Sequence, residues 1–270
     1  MSPVISSAAA TGVIQSSRPT VTSTGMRSDG KAVRRSWRCH TGSFRPAAYT
    51  RGAMAQALRD LVELAVVVDD TFDQNCYVLR RRDTREVVVF DPGLQHRRVL
   101  DLLDRHDQRC ARVMLTHGHP DHVNGVPAVR AAHECSAAIH PDDREQLPFV
   151  TMLPGVPKDL PEVVCDIDLK PGEIWRWQDL DVKVLHTPGH TRGSVCFLVG
   201  PDLIAGDTLF QRSIGRTDLP GGSFETLMFS IENTLYALPP ETVVHPGHGP
   251  STTIREEMRH NPFVVHPRYR

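Results

Sequence analysis

No uninterrupted apolar run in this 270-residue chain approaches the roughly 18 to 20 residues needed to span a bilayer, which excludes a transmembrane helix. A secretory signal is not expected either, because the amino terminus lacks a leading positive charge followed by an unbroken apolar segment. The six cysteines, at 39, 76, 110, 135, 165 and 196, include no Cys-x-x-Cys pair and form no tight framework. They read as small buried hydrophobes in a reducing compartment rather than as metal ligands. A Gly-x-Ser-x-Gly elbow is also missing, so no serine nucleophile of that type is available.

Acidic residues are scarce at one end. Residues 1–53 hold eight Lys or Arg against the single acid Asp29, which leaves the rest of the chain with a formal net charge of −8. An acidic body argues against duplex nucleic acid as a partner, since phosphate neutralisation needs a basic face. The 53-residue extension is rich in Ser and Thr and shows no apolar period, so disorder is expected there. Its Arg- and Ser-rich, acid-poor composition matches an organelle transit peptide; Met54 as the working start is the equal alternative. The location that follows is the cytoplasm, or a mitochondrion or plastid if the extension is a transit peptide. Overall, 40% hydrophobic and 23% charged residues is the balance of an ordinary globular chain and by itself names no function.

What the chain does have is a dense run of metal-type side chains. Thr116-His117-Gly118-His119-Pro120-Asp121-His122 follows the apolar run Val113-Met114-Leu115. Imidazole nitrogen and carboxylate oxygen suit a borderline cation such as zinc. His117 and His119, two apart on an extended segment, face the same way. A helix starting near Asp121 would project Asp121 and His122 from a new direction, towards a second ion. Three further segments repeat the order of apolar run, turn and ligand: Leu185 to His190, Leu203 to Asp207, and Val243 to Gly249.

The hydrophobic pattern predicts strands over 61–68, 75–81, 86–90 and 110–115, with a helix over 94–105 on the spacing of Val99, Leu102 and Leu103. A helix over 123–133, a short strand over 137–139 and a proline-rich loop over 148–166, lying across the site, come next. The second half repeats the plan with strands at 182–186, 194–199, 202–205 and 242–245 and helices over 224–238 and 252–260. Two β-rich halves with outer helices fit an α/β fold, an αββα sandwich whose site lies at one edge, where strand ends from both halves meet.

At these residues the chain resembles the metallo-β-lactamase fold superfamily, over roughly residues 61 to 265. The signature His-x-His-x-Asp-His matches His117, His119, Asp121 and His122, and the later motifs match at His190, Asp207 and His248. Asp91-Pro92-Gly93 matches the early aspartate that supports the site without usually binding metal. The resemblance implies that 54–270 form one hydrolase domain with two divalent ions. One would be held by His117, His119 and His190 and the other by Asp121, His122 and His248, with Asp207 bridging. Zinc comes first, although iron or manganese accepts the same donors according to supply. His245 is a decoy three residues before His248, and His133, His140, His186 and His260 read as surface or packing residues.

Two ions sharing a water lower its pKa from about 15.7 towards 7, so no protein nucleophile is required. Asp121 would orient the resulting hydroxide as the catalytic carboxylate. A thiol with pKa near 8.5 leaves without a strong general acid, which favours a thioester or activated ester over an amide. Ser213 to Gly222 and Pro246 to Thr253 resemble the glyoxalase II-like branch in its short form, without a carboxy-terminal helical domain. That branch implies a small S-acyl-glutathione substrate such as S-lactoylglutathione. Arg192, Arg212 and Arg216 are candidate contacts to an anionic thiol carrier, with Arg216 read first as a loop partner of Asp218. The nearest alternative is a persulfide dioxygenase, which resembles the chain in the same motifs but binds one iron through His117, His190 and Asp207. A β-lactamase, a nuclease and a non-catalytic metal-stabilised binding module rank below these.

Overall fold

Two packed sheets, each with helices on its outer face, hold the ligand segments at one edge. The structure is a computed structural model that describes residues 23–26, 32–35, 61–152 and 161–264. The chain divides into two units, 1–48 and 49–270. In the first, β1 (Ser23–Met26) pairs antiparallel with β2 (Ala32–Arg35). The rest of the segment for which disorder is expected lies outside the described residues.

The second unit contains both sheets. One has the order β3-β4-β5-β6-β7-β8, formed by Val62–Val68, Asn75–Arg81, Glu86–Phe90, Arg109–Met114, Ser136–Ile139 and Ile167–Asp168. The other contains β9 (Ile174–Trp177), β10 (Leu180–His186), β11 (Val195–Val199), β12 (Asp202–Gly206), β15 (Val243–Pro246) and β16 (Thr252–Thr253), in the order β16-β15-β12-β11-β10-β9. A small ribbon of β13 (Leu209–Phe210) and β14 (Ser213–Ile214) follows β12.

Strand alternation explains the layers. Tyr77, Leu79, Val88 and Phe90 meet Val182, Val184, Phe197 and Ile204 in a core between the sheets, with the Phe90 and Phe197 rings 5.2 Å apart. The alternate positions face outward into two further cores. Val78, Val87 and Val89 pack on α1 (His96–Arg105) and α3 (Val126–His133) through Val99, Leu103, Val126 and Val129. Cys196, Leu203 and Ala205 pack with α4 (Phe224–Ser230) and α5 (Ile254–His260) through Leu227, Ile254 and Met258. Strands covered on both faces read as near-continuous apolar runs, as Val87 to Phe90 does. The α/β, αββα architecture is therefore present. Among the described residues no helix is long and apolar enough to cross a membrane.

Departures from the sequence reading are local. The helix expected over 123–133 is two helices, α2 (Pro120–Val123) and α3, broken at Asn124-Gly125. Pro127 pre-sets the first turn of α3. Gly125 donates its N–H to Pro92 O at 2.7 Å, and a Cβ there would lie 2.6 Å from Gly93 O. The break thus lets the ligand-bearing turn pack against the Asp91–Gly93 turn. The helix expected over 224–238 widens after Ser230 into a π turn, Ile231–Leu235, with Tyr236 N–H donating to Ile231 O at 2.9 Å. Thr252 and Thr253 are extended rather than helical, and Thr253 Oγ1 caps α5 by accepting from Glu256 N–H at 3.2 Å. Of the loop expected over 148–166, residues 153–160 lie outside the described residues; Pro141–Met152 form a 3₁₀ segment.

Candidate metal centre

Four strand ends deliver the candidate ligands. β6 leads into Thr116 to His119, and α2 begins at Pro120, so Asp121 and His122 occupy its first turn. His190 follows β10, Asp207 directly follows β12, and His248 follows β15. The last of these is pinned to the opposite sheet. Tyr77 Oη donates to Pro246 O at 2.8 Å, and Asn75 Nδ2 donates to Pro246 O at 3.0 Å and Gly249 O at 2.8 Å.

The side chains converge in two groups, His117, His119 and His190, and Asp121, His122 and His248. His190 Nε2 lies 3.2 Å from His117 Nε2 and 2.9 Å from His119 Nδ1, with the three rings 81° to 89° apart in plane. In the second group His248 Nε2 lies 3.4 Å from His122 Nε2 and 3.3 Å from Asp121 Oδ2. Asp207 stands between them: Oδ2 is 3.5 Å from both His190 Nε2 and His248 Nε2, and Oδ1 is 3.4 Å from His122 Nε2.

This arrangement fits cations. With His190 Nδ1 engaged by Arg216 O, the single lone pair on His190 Nε2 faces two ring nitrogens, so N–H···N pairing satisfies at most one of them, whereas a cation would accept all three. Asp207 Oδ1 is buried with no hydrogen-bond partner. A Cβ on Gly247 would sit 2.1 Å from that oxygen and 2.8 Å from His122 Cε1, so only glycine leaves the space clear.

The far nitrogens are fixed as well. His122 Nδ1 lies 3.0 Å from Asp91 Oδ2, His190 Nδ1 2.8 Å from Arg216 O, and His248 Nδ1 2.9 Å from Phe72 O. Donation from Nδ1 leaves Nε2 as the acceptor facing the centre. Asp91 also accepts from Thr116 N–H at 2.7 Å and Thr116 Oγ1 at 2.6 Å, so it anchors the loop from behind.

Burial, then the neighbouring imidazoles, hold His117 well below the ordinary histidine range and bring His119 to about 4. His122 goes the other way. Burial alone would depress it, but Asp207, Asp121 and Asp91 override that and hold it up to about 10. In the metal-free protein at pH 7, His117 and His119 are therefore neutral and ready to ligate, whereas His122 carries a proton that a cation must displace. Loading the His122 group is expected to release protons, with affinity rising about tenfold per pH unit for each proton displaced. Calorimetric titration in buffers of different ionisation enthalpy reads this directly; metal uptake without proton release contradicts it.

His245 takes no part. Its Nε2 lies 3.0 Å from Asp202 Oδ1 and its Nδ1 3.0 Å from Ser251 Oγ. His245→Ala is expected to leave metal content unchanged and to cost about 1 kcal/mol of stability, whereas His248→Ala should lose metal; equal metal loss in both would reverse the assignment. His140 and His186 group with Asp142 elsewhere, but their rings stack 4.5 Å apart at 9°, in parallel planes rather than crossed as His117, His119 and His190 are.

One buried residue was invisible in the sequence. Asp143, fully buried, accepts from Gly118 N–H at 2.9 Å, Gly193 N–H and Thr191 Oγ1 at 2.7 Å each, and Gln146 Nε2 at 3.0 Å. It ties the loop of His117 and His119 to the loop of His190. Burial pushes its carboxyl above the ordinary range, against the pull of the Thr191, Gly193 and Gly118 hydrogen bonds. No spacing marks it, because its main partners lie 25 to 50 residues away.

A cavity of about 430 Å³ opens onto the centre, bounded by Phe72, Phe210, Ile214 and Leu219 as well as the ligands. Arg216 borders it, yet its guanidinium is engaged with Asp218 at 2.8 and 2.7 Å, the loop pair expected from the sequence.

An αββα sandwich with a double His/Asp cluster at its strand ends fits a metal-dependent hydrolase. Comparison with known families agrees: residues 69–248 match the model of the Metallo-beta-lactamase superfamily, and the chain belongs to that superfamily. An uncharacterised protein of Mycobacterium leprae is 43% identical over 203 residues, 70% of this chain and 93% of its own. The hydroxyacylglutathione hydrolase GloC of Haemophilus influenzae is 31% identical over 213 residues, 75% of this chain and 98% of its own. Among solved structures, the B3 metallo-beta-lactamase BLEG-1 matches with a TM-score of 0.70 at 36% identity, over 75% of this chain and all of that one. ETHE1 from Myxococcus xanthus matches at 0.65 and 29%, over 75% and 84%. TTHA1623 in a di-iron-bound form matches at 0.65 and 33%, over 74% and 100%.

Proposed function

We propose that the two groups hold two divalent ions, with Asp207 shared between them, and that the protein hydrolyses a small thioester or activated ester of the S-acyl-glutathione type. When bound, the ions supply Lewis acidity and a water activated at neutral pH. Zinc is the first expectation; the similarity to a di-iron protein keeps iron in view.

The observation that carries the substrate class is the ionised state of Asp121, a carboxyl that borders the cavity. Burial pushes the Asp121 carboxyl up, but His122 and His248 more than reverse this and leave it well below the ordinary carboxylate range. Asp121 therefore stays ionised at neutral pH, accepting a hydrogen bond from the attacking water and orienting it without protonating a leaving group. Asp91 and the carbonyls of Phe72 and Arg216 hold the rings of His122, His248 and His190 in register. Phe72, Phe210, Ile214 and Leu219 shield the reacting carbonyl from bulk water. Water adds its oxygen to the acyl carbon, the carbon–sulfur bond breaks, and the products are a carboxylate, a thiol and one proton. A thiolate departs unaided where an amide nitrogen would not.

The similarity to GloC supports this reading. A persulfide dioxygenase using one iron on His117, His190 and Asp207 is the second reading, favoured by the likeness to ETHE1. The complete second group, Asp121, His122 and His248, favours the hydrolase. A panel of S-lactoylglutathione, the matching oxygen ester, a peptide amide and a β-lactam tests the claim. Thioester turnover is expected to dominate; faster cleavage of the amide or the β-lactam overturns it.

A further inference from the structure

Simple alternation along β6 would turn Cys110, Arg112 and Met114 to one face of the sheet, yet Cys110 lies on the other. Val87 stands opposite Cys110 and Val88 opposite Arg112, so Ala111 is an extra residue, a bulge in β6. Past the bulge Met114 joins the core between the sheets, and the Arg112 guanidinium lies over the Trp175 ring at 4.2 Å. Cys110 sits instead with Val87, Val89 and Val113 in the outer core under α1 and α3.

The bulge brings Cys110 to a second cysteine. β7 runs parallel to β6 with Ser136 opposite Arg112, and Cys135, the residue before Ser136, belongs to the same outer core. The Cys110 thiol donates to the Cys135 sulfur. Among the described residues no other two thiols are joined in this way: Cys196 meets Thr187, Thr208 and the Ala205 carbonyl, and Cys76 and Cys165 have no thiol partner.

The two sulfurs differ in the direction that a dithiol reaction needs. Their hydrogen bond, then burial, raises the Cys110 thiol well above its ordinary value. The same bond, aided by Arg130, lowers the Cys135 thiol against its own burial. Cys135 is also the outer of the two, 8% exposed against 1%, just past the end of α3, where Arg130 Nε donates to its carbonyl at 3.0 Å. Thiolate character and access both mark Cys135 as the sulfur that reacts first.

We propose that Cys110 and Cys135 are a redox modification site, forming a reversible disulfide when the protein meets a peroxide. The Cys135 thiolate attacks one peroxide oxygen and the O–O bond breaks; the departing hydroxide takes up the thiol's proton as water and leaves a sulfenic acid. Cys110 sulfur then displaces the sulfenic oxygen, which leaves with the Cys110 proton as a second water. Two thiols and one hydrogen peroxide thus give one disulfide and two waters, the sulfurs losing two electrons and the peroxide gaining them. The bond closes a loop of β6, the ligand turn, α2 and α3, so His117, His119, Asp121 and His122 all lie between the linked residues. Cross-linking lowers the entropy of the unfolded chain, which makes the oxidised protein the more heat-stable form. None of this depends on the reaction proposed above.

The test uses the full chain loaded with zinc, which has no redox chemistry of its own. The protein is treated with hydrogen peroxide, alkylated in denaturant, digested without reductant and mapped by mass spectrometry. A linked pair of peptides containing Cys110 and Cys135 is expected, released by dithiothreitol, together with a rise in Tm of about 5 to 10 °C. Cys110→Ala should stop at a Cys135 sulfenic acid that dimedone captures, and Cys135→Ala should leave Cys110 reduced, with no gain in Tm on oxidation in either. Both cysteines found alkylated after peroxide, a link from either to another cysteine instead, or an equal gain in Tm in Cys135→Ala overturns the proposal. Peptide mapping of the unsubstituted chain decides the matter even where a variant fails to fold.

Discussion

Asp207→Ala is expected to lower bound metal in both groups at once and to reduce hydrolysis by at least about a thousandfold, because the pKa drop from about 15.7 to about 7 that activates the water depends on the bound ions. The expectation follows from position: among the described residues its carboxylate alone lies within 3.5 Å of ring nitrogens from both groups, His190 in one and His122 and His248 in the other. Removing either carboxylate or histidine from one group alone disturbs one ion first; removing Asp207 disturbs both. The side chain borders the cavity, so the folded state should survive its truncation. Metal analysis beside a melting curve separates the effects, and a variant that keeps both ions and full activity would show that Asp207 is not shared.

Asp143→Ala should do its damage through folding. Truncation leaves the N–H groups of Gly118 and Gly193 and the Thr191 hydroxyl buried without an acceptor. At roughly 1 to 3 kcal/mol for each unpaired group, the loss is about 3 to 5 kcal/mol. For a domain of this size that lowers Tm by roughly 10 °C. Metal affinity should fall with it, since Gly118 lies between His117 and His119 and Gly193 lies three residues past His190. Asp143→Asn, which keeps the shape and one acceptor oxygen, is expected to fall between. A wild-type melting curve for the alanine variant would contradict the role assigned to this carboxylate.

The two residues were not equally legible. Asp207 stands out in the sequence because an apolar strand, a glycine and a ligand occupy consecutive positions, and the same order recurs before His190 and His248. His117 to His122 are legible because their spacing is local. Asp143 sits in His140-Pro141-Asp142-Asp143, which looks like any acidic turn, and only the fold brings Gly118 and Gly193 to it. Asn75 and Tyr77 are hidden for the same reason: their partners lie some 170 residues away.

A similar divide runs through the fold. Strands doubly covered by core, such as β5 and β11, announce themselves as apolar runs. Two-residue strands such as β8 and β16 carry no period at all and exist because a neighbouring strand supplies hydrogen bonds. At α2 and α3 the signal was present: Gly125 followed closely by Pro127 marks a break and a restart, and the hydrophobic period of Val123, Val126 and Val129 ran across it. At α5, Thr253 with Glu256 three residues on was the capping pattern that set the start at Ile254, two residues later than expected.

The most direct measurement is metal content per chain, taken on the same preparation as S-lactoylglutathione hydrolysis and oxygen uptake with glutathione persulfide. Two ions per chain with thioester cleavage and no oxygen consumption are expected. One iron per chain with oxygen uptake would contradict this and move the protein to the dioxygenases of the same fold.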